Sequence, residues 1–155
     1  MRDKIKRYLP WGLTICAAAF GVAAFFLIFA NAVKYDVAAL GEDSFRGYFT
    51  ALGYTKGGIE LLLPSAGLII AYLFPLLGAC TAVIGKDSLI ARLIASALLI
   101  TGGALLLSAA HLVECTFGGT ASLSVGTILG GIFALLGGAA EGAYCVINVL
   151  GKRSA

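Results

Sequence analysis

The 155 residues are 60% hydrophobic and only 12% charged, about half the charge density of an average soluble domain. Eleven basic residues against eight acidic ones give a formal net charge of +3, scattered too thinly for a nucleic-acid-binding surface. A separate soluble domain is excluded as well, because apolar stretches occupy most of the chain.

Four such stretches fall at about 11–33, 64–84, 89–111 and 124–150. About 20 apolar residues cross the hydrocarbon core of a bilayer as a helix, so each is long enough to span. The expected fold is an all-α membrane protein, one domain over 1–155. Four antiparallel helices form a bundle, with a small extracellular β-hairpin in the loop at about 34–63.

Charge placement orients it. Arg2, Lys4, Lys6, Arg7, Lys86, Arg92, Lys152 and Arg153 flank one side of the spans, against Asp3 and Asp87. The other side carries Lys34, Arg46 and Lys56 against Asp36, Glu42, Asp43, Glu60 and Glu114. The positive-inside bias therefore places both termini in the cytoplasm of a multi-pass cell-membrane protein. The first segment has a basic start and an Ala30-Asn31-Ala32 triplet, but its apolar run exceeds the roughly 7–15 residues of a signal-peptide core. It reads as a span.

Along the chain, Pro10 suits a helix start, where its missing N–H costs nothing, and Tyr8 and Trp11 suit the interface. The first helix alternates a small set (Ala17, Ala18, Gly21, Ala24) with Phe25, Phe26 and Phe29. Val33, Tyr35 and Val37 alternate with Lys34 and Asp36, a strand pattern. Gly41-Glu42-Asp43-Ser44 reads as the turn, and the aromatic run Phe45 to Tyr54 as a second strand. A lone hairpin is marginal in water, so it must lean on the helices or on a partner. The second helix carries Pro75, which frees the carbonyl of Ala71 and predicts a kink. The short Gly85-Lys86-Asp87-Ser88 link makes the second and third helices antiparallel neighbours, with Ser88 as a cap. The third helix repeats small residues at Ser88, Ala95, Gly102 and Ala109. A Gly- and Ser-rich loop, 118–124, leads to the last helix.

On that helix Gly126, Gly130, Ala134, Gly137, Glu141, Cys145 and Asn148 share one stripe. Small residues permit close helix approach in lipid, so Gly126, Gly130, Ala134 and Gly137, with Gly102 on the third helix, are the expected packing positions. Glu141 is the acid inside this apolar run. Counted from Lys152 it lies roughly 16 Å deep at 1.5 Å per residue, where a charge costs about 2.5–3.5 kcal/mol. No intramembrane cation is expected at that depth. The reading is a neutral acid facing the bundle, in a polar site with Ser96, Thr101 and Tyr72.

The remaining reactive groups form no strong motif. Cys16, Cys80 and Cys145 share an expected depth without a histidine, and Cys115 lacks a second cysteine in the loops. His111, Glu114 and Cys115 read as a solvated helix end. No residue set points to a metal, a cofactor or a catalytic residue.

The segment Tyr48-Phe49-Thr50-Ala51-Leu52-Gly53-Tyr54-Thr55-Lys56-Gly57-Gly58, with the Leu- and Ile-rich span after it, resembles small uncharacterised four-span bacterial membrane proteins. The topology is also similar to that of claudins, with a long first extracellular loop of strands and a short second one. The claudin Trp and Cys pair are absent from that loop, so the resemblance implies an architecture and no site. Small multidrug exporters also use a membrane Glu among four short helices, but in their first helix rather than the last.

The expected role is non-enzymatic, in structure or protein interaction, with association through the hairpin and the Gly-rich last helix. The lipid bilayer and a second copy or another membrane protein are the expected partners. The alternative is a small proton- or cation-coupled transporter or channel subunit working through Glu141.

Overall fold

The computed structural model describes residues 2–37, 41–116 and 118–153. Among these residues six α-helices and five strands occur in the order α1 (Arg2–Phe26), β1 (Asn31–Val37), β2 (Gly41–Arg46), α2 (Gly47–Leu52), β3 (Tyr54–Lys56), β4 (Ile59–Leu62), α3 (Ala66–Ile84), α4 (Leu89–Leu107), α5 (Ala109–Leu112), β5 (Thr120–Leu123) and α6 (Val125–Arg153). Four helical segments are long and apolar enough to cross a membrane: Trp11–Phe29, Ala66–Ile84, Leu89–Leu107 and Val125–Val149.

Several boundaries differ from the sequence reading. The first helix tightens into a 3-10 turn at Leu27–Phe29 and gives way to strand at Asn31, rather than continuing to 33. The third breaks at Ser108, whose N–H donates to the carbonyls of Ala104 and Leu105, so 109–112 is a separate short helix. The last runs on to Arg153. Ser65 and Ser88 cap α3 and α4, accepting from Leu68 N and Ala91 N, which satisfies donors the first turn leaves unpaired. α3 continues through Pro75 as one helix.

The helices pack in a closed circuit, α1 against α3 and α6, and α4 against α3 and α6. Glycines mark the seams and give the directions. A Cβ on Gly78 would touch Leu99 and one on Gly102 would touch Pro75, so α3 and α4 run oppositely. Gly103 lies against Leu135 and Gly138 against Ser96 and Ile100, which makes α4 and α6 antiparallel. Gly126 lies against Asn31, Gly130 near Ala24 and Gly137 against Ala17, so α1 and α6 are antiparallel too.

At one end the helices carry two small sheets. The larger has strand order β2-β1-β5, antiparallel throughout, and β3 pairs with β4 in a separate hairpin. The expected single hairpin is therefore corrected in three places. Gly41-Glu42-Asp43-Ser44, read as a turn, is strand β2, because pairing with β1 overrides weak local propensity. Residues 47–52, read as strand, are helical: Gly47, Thr50 and Ala51 are buried, a three-and-four spacing that belongs to a helix. The Gly- and Ser-rich 118–124 loop contributes β5, which pairs Val33 with Leu123 and Tyr35 with Ala121.

A core of Ala32, Val33, Tyr35, Ala51, Leu62, Leu68, Ala109 and Val113 joins the sheets to α2, α3 and α5. The register shifts between Asn31 and Val33, and this irregularity lets Ala32 and Val33 both turn inward before alternation resumes. The link between α3 and α4 closes the opposite end.

Candidate functional site: a buried ion pair between α4 and α6

Arg92 is the fourth residue of α4 and Glu141 lies on the inward stripe of α6. Antiparallel packing brings them together: Arg92 Nη1 donates to Glu141 Oε2 at 3.0 Å, with the side chains 3% and 0% exposed. The guanidinium is fixed on two further sides. Its Nε donates to the Lys86 carbonyl at 2.8 Å, and its centre lies 3.9 Å from the Tyr144 ring. A planar fork stacked on an aromatic face is a role that lysine does not fill.

This corrects the expectation that Glu141 has no counter-ion. Arg92 stands with the charges of the turn in sequence, yet it folds inward. Tyr144 sits level with Arg92, and α6 runs on past it to Arg153. A buried carboxylate beside a buried guanidinium compensates charge that neither could carry alone.

The other expected members of the site separate. Ser96 stays on the same seam, its hydroxyl donating to Gly138 O at 2.8 Å. Thr101 is exposed on the outer surface of α4. Tyr72 is buried near the sheet end, where its hydroxyl lies beneath Gly47. The expected polar foursome is thus a pair, Glu141 and Ser96, joined by Arg92, Tyr144 and the buried Cys145. Arg92 carried one usable signal, its position one turn past a capping serine on an apolar helix.

Among the described residues two buried side-chain polar atoms lack a hydrogen-bond partner, Glu141 Oε1 and Tyr72 Oη. Glu141 Oε1 is thus the unpartnered oxygen of the ion pair. The seam around it is tight: a Cβ on Gly142 would stand 3.2 Å from Ser96 Oγ, and one on Gly138 2.6 Å from Ile100.

The expected packing positions fall inside the chain. Gly126 meets Ala30 and Asn31, Gly130 meets Leu106 of α4 and Ala24 of α1, Gly137 faces Ala17 of α1, Gly102 faces Pro75 of α3, and Ala134 is fully buried. Their small faces are therefore occupied within one molecule. Cys16 and Cys80 are exposed while Cys145 is buried, so the three do not converge. Cys115 is half-buried, and His111 and Glu114 beside it are exposed. Among the described residues no group of three or more His, Cys, Asp or Glu could hold a metal ion. A cavity of about 210 Å3 opens at the start of α3, lined by Leu63, Pro64, Ser65, Ala66, Leu112 and Glu114, at the opposite end from the ion pair. No family model, curated protein or solved structure matches the chain.

Proposed function

We propose that the chain is a non-enzymatic multi-pass membrane protein that presents a small sheet for association with another membrane protein or a second copy of itself. In this reading the four spanning helices form an antiparallel bundle. The link bearing Lys86 and both termini are cytoplasmic, by the positive-inside bias, and the sheets lie outside.

The observation that carries the reading is the edge of the larger sheet. Strand β2 pairs with β1 alone among the described residues, with Asp43, Ser44 and Arg46 exposed along it. An open edge is a template for strand addition, in which main-chain hydrogen bonds supply affinity and side chains supply choice of partner. Between the helices, in contrast, Arg92 is engaged with Glu141 and Ser96 with Gly138 O. Because the glycine stripe of α6 is covered from within the chain, by Asn31, Leu106 and Ala17, association falls to the sheet.

The test is oligomeric state and partner retention in mild detergent, with a charge swap on the edge (Asp43→Lys with Arg46→Glu). The wild type should run as an oligomer or with a stoichiometric partner, and the swap should release it with the helical content unchanged. A monomeric wild type carrying no partner and indifferent to the swap would defeat the reading.

One observation favours a second reading, a proton-coupled role through Glu141: its Oε1 is fully buried and lacks a partner among the described residues. Protonation at that oxygen would loosen the hold of Arg92. Liposomes containing a pH-sensitive dye would report it, and equal proton flux for wild type and Glu141→Gln would remove it.

A further inference from the structure

The feature that the sheet-edge reading leaves unused is the outward face of α2. Both ends of this short helix are tied to the ends of spans. Gly47 N donates to Ala30 O at 3.1 Å, one residue past the first spanning segment, and Ala51 O accepts from the N–H of Ser65, the cap of α3, at 3.0 Å. The helix therefore lies crosswise at the level where two spans end. Its inner face is pressed down on them, since a Cβ on Gly47 would meet Tyr72 Oη at 2.5 Å and Ile28 O at 2.7 Å.

The outer face is apolar and aromatic. Leu52 is 68% exposed, and Phe29 at the end of the first span is 59% exposed. Between them runs an unbroken row of rings. Phe29 and Tyr48 are 6.1 Å apart, Tyr48 and Phe49 4.1 Å, and Phe49 and Tyr54 4.7 Å. The row continues the apolar surface that Phe26 at the end of α1 and Phe29 in the 3-10 turn present.

We propose that this face is a lipid contact: α2 lies in the headgroup–acyl boundary of the leaflet at the sheet end, with Leu52 and Tyr48 immersed. Continuity with the apolar surface of the first span selects lipid over a protein partner, because a surface that leaves the bilayer at Phe29 enters the boundary region first. Tyrosines suit that layer, with an apolar ring and a hydroxyl that reaches water. Immersion would fix the sheets against the membrane plane and hold the open edge of β2 at a set height.

The chain has one tryptophan, Trp11, so a reporter can be moved. In a Trp11→Phe background, Leu52→Trp is reconstituted in phosphatidylcholine vesicles whose acyl chains carry bromine close to the glycerol. Phe29→Trp serves as the immersed reference and Asp43→Trp as the aqueous one. Tryptophan at position 52 should emit to the blue of the position-43 reporter, lose most of its emission to the shallow bromines as the position-29 reporter does, and resist aqueous iodide. These results should hold at every lipid-to-protein ratio. Red emission quenched by iodide, as at position 43, would overturn the proposal. So would protection from both quenchers, or lipid quenching that vanishes as the protein is concentrated, since each would place a protein on this face. Tyr48→Trp repeats the measurement if Leu52→Trp lowers the helical content. If Trp11→Phe lowers it, Trp11 is retained and its own quenching subtracted.

Discussion

Arg92 and Glu141 are 49 positions apart and meet at 3.0 Å in a seam that leaves neither more than 3% exposed. Removing one member strands the other as a buried charge, which costs about 3–5 kcal/mol, whereas replacing both with apolar residues of similar volume is often neutral or better. Glu141→Leu and Arg92→Met should each lower resistance to unfolding sharply. The double variant, Arg92→Met with Glu141→Leu, should recover most of the loss. Unfolding of all four proteins in mixed micelles measures it, and additive losses in the double variant would refute the coupling.

The four long apolar helices are legible because the signal is length and apolarity, which need no partner. Glu141 is legible for the opposite reason, as an acid where the surroundings are apolar. Its cation is not, because Arg92 stands near a charged link and its inward turn depends on the register between α4 and α6. The same limit hides β5: Thr120 to Leu123 have little strand character until β1 supplies hydrogen bonds. α2 was misread because Tyr48 and Phe49 are β-prone by type, while the buried spacing of Gly47, Thr50 and Ala51 emerges only against Tyr72 and Ile28. A small-residue stripe invites association through Gly126 and Gly130, but Asn31 and Leu106 of the same chain stand against them.

The glycines should divide by what lies opposite them. A Cβ at Gly102 would stand 2.5 Å from the Pro75 ring, whereas one at Gly12 meets nothing within 4 Å. Gly102→Ala should therefore destabilise by about 1–3 kcal/mol through overpacking. Gly12→Ala should be neutral or gain up to about 1 kcal/mol from helix propensity. Thermal unfolding of the two variants in one detergent compares them directly, and equal shifts would contradict the packing.

Tyr35 makes the sheet sensitive to alkali. Burial pushes its hydroxyl above the ordinary value of 10.0, with Cys115 and Glu114 adding to the rise and a hydrogen bond from the Cys115 backbone opposing it. The folded chain thus holds this proton more tightly than the unfolded chain does. Its contribution is fully present below about pH 10 and is lost as pH rises through the higher folded value. Protease cleavage within 31–46 should accelerate over that range. Tyr35→Phe should remove part of the acceleration, and an unchanged pH profile in that variant would count against the assignment.

One carbonyl of β1 takes two hydrogen bonds from the start of α6. Ala32 O accepts from the Thr127 hydroxyl at 2.7 Å and from Ser124 N at 2.9 Å, while the same hydroxyl lies 3.1 Å from Ser124 O. Thr127 is fully buried, so Thr127→Val keeps the shape and deletes the bond. One donor remains to the carbonyl, which limits the cost to about 1 kcal/mol. That loss should fall locally, because the ion pair sits at the other end of α6 and shares no partner with Thr127. Cleavage within 31–46 should rise several-fold in Thr127→Val, while the cost of Arg92→Met measured in the same background stays as it is in the wild type. Thr101→Val is the control, since that hydroxyl lies on the exposed side of α4 and its removal should leave the sheet as it is. If both threonine variants loosen the sheet equally, the bond to Ala32 is not what holds it.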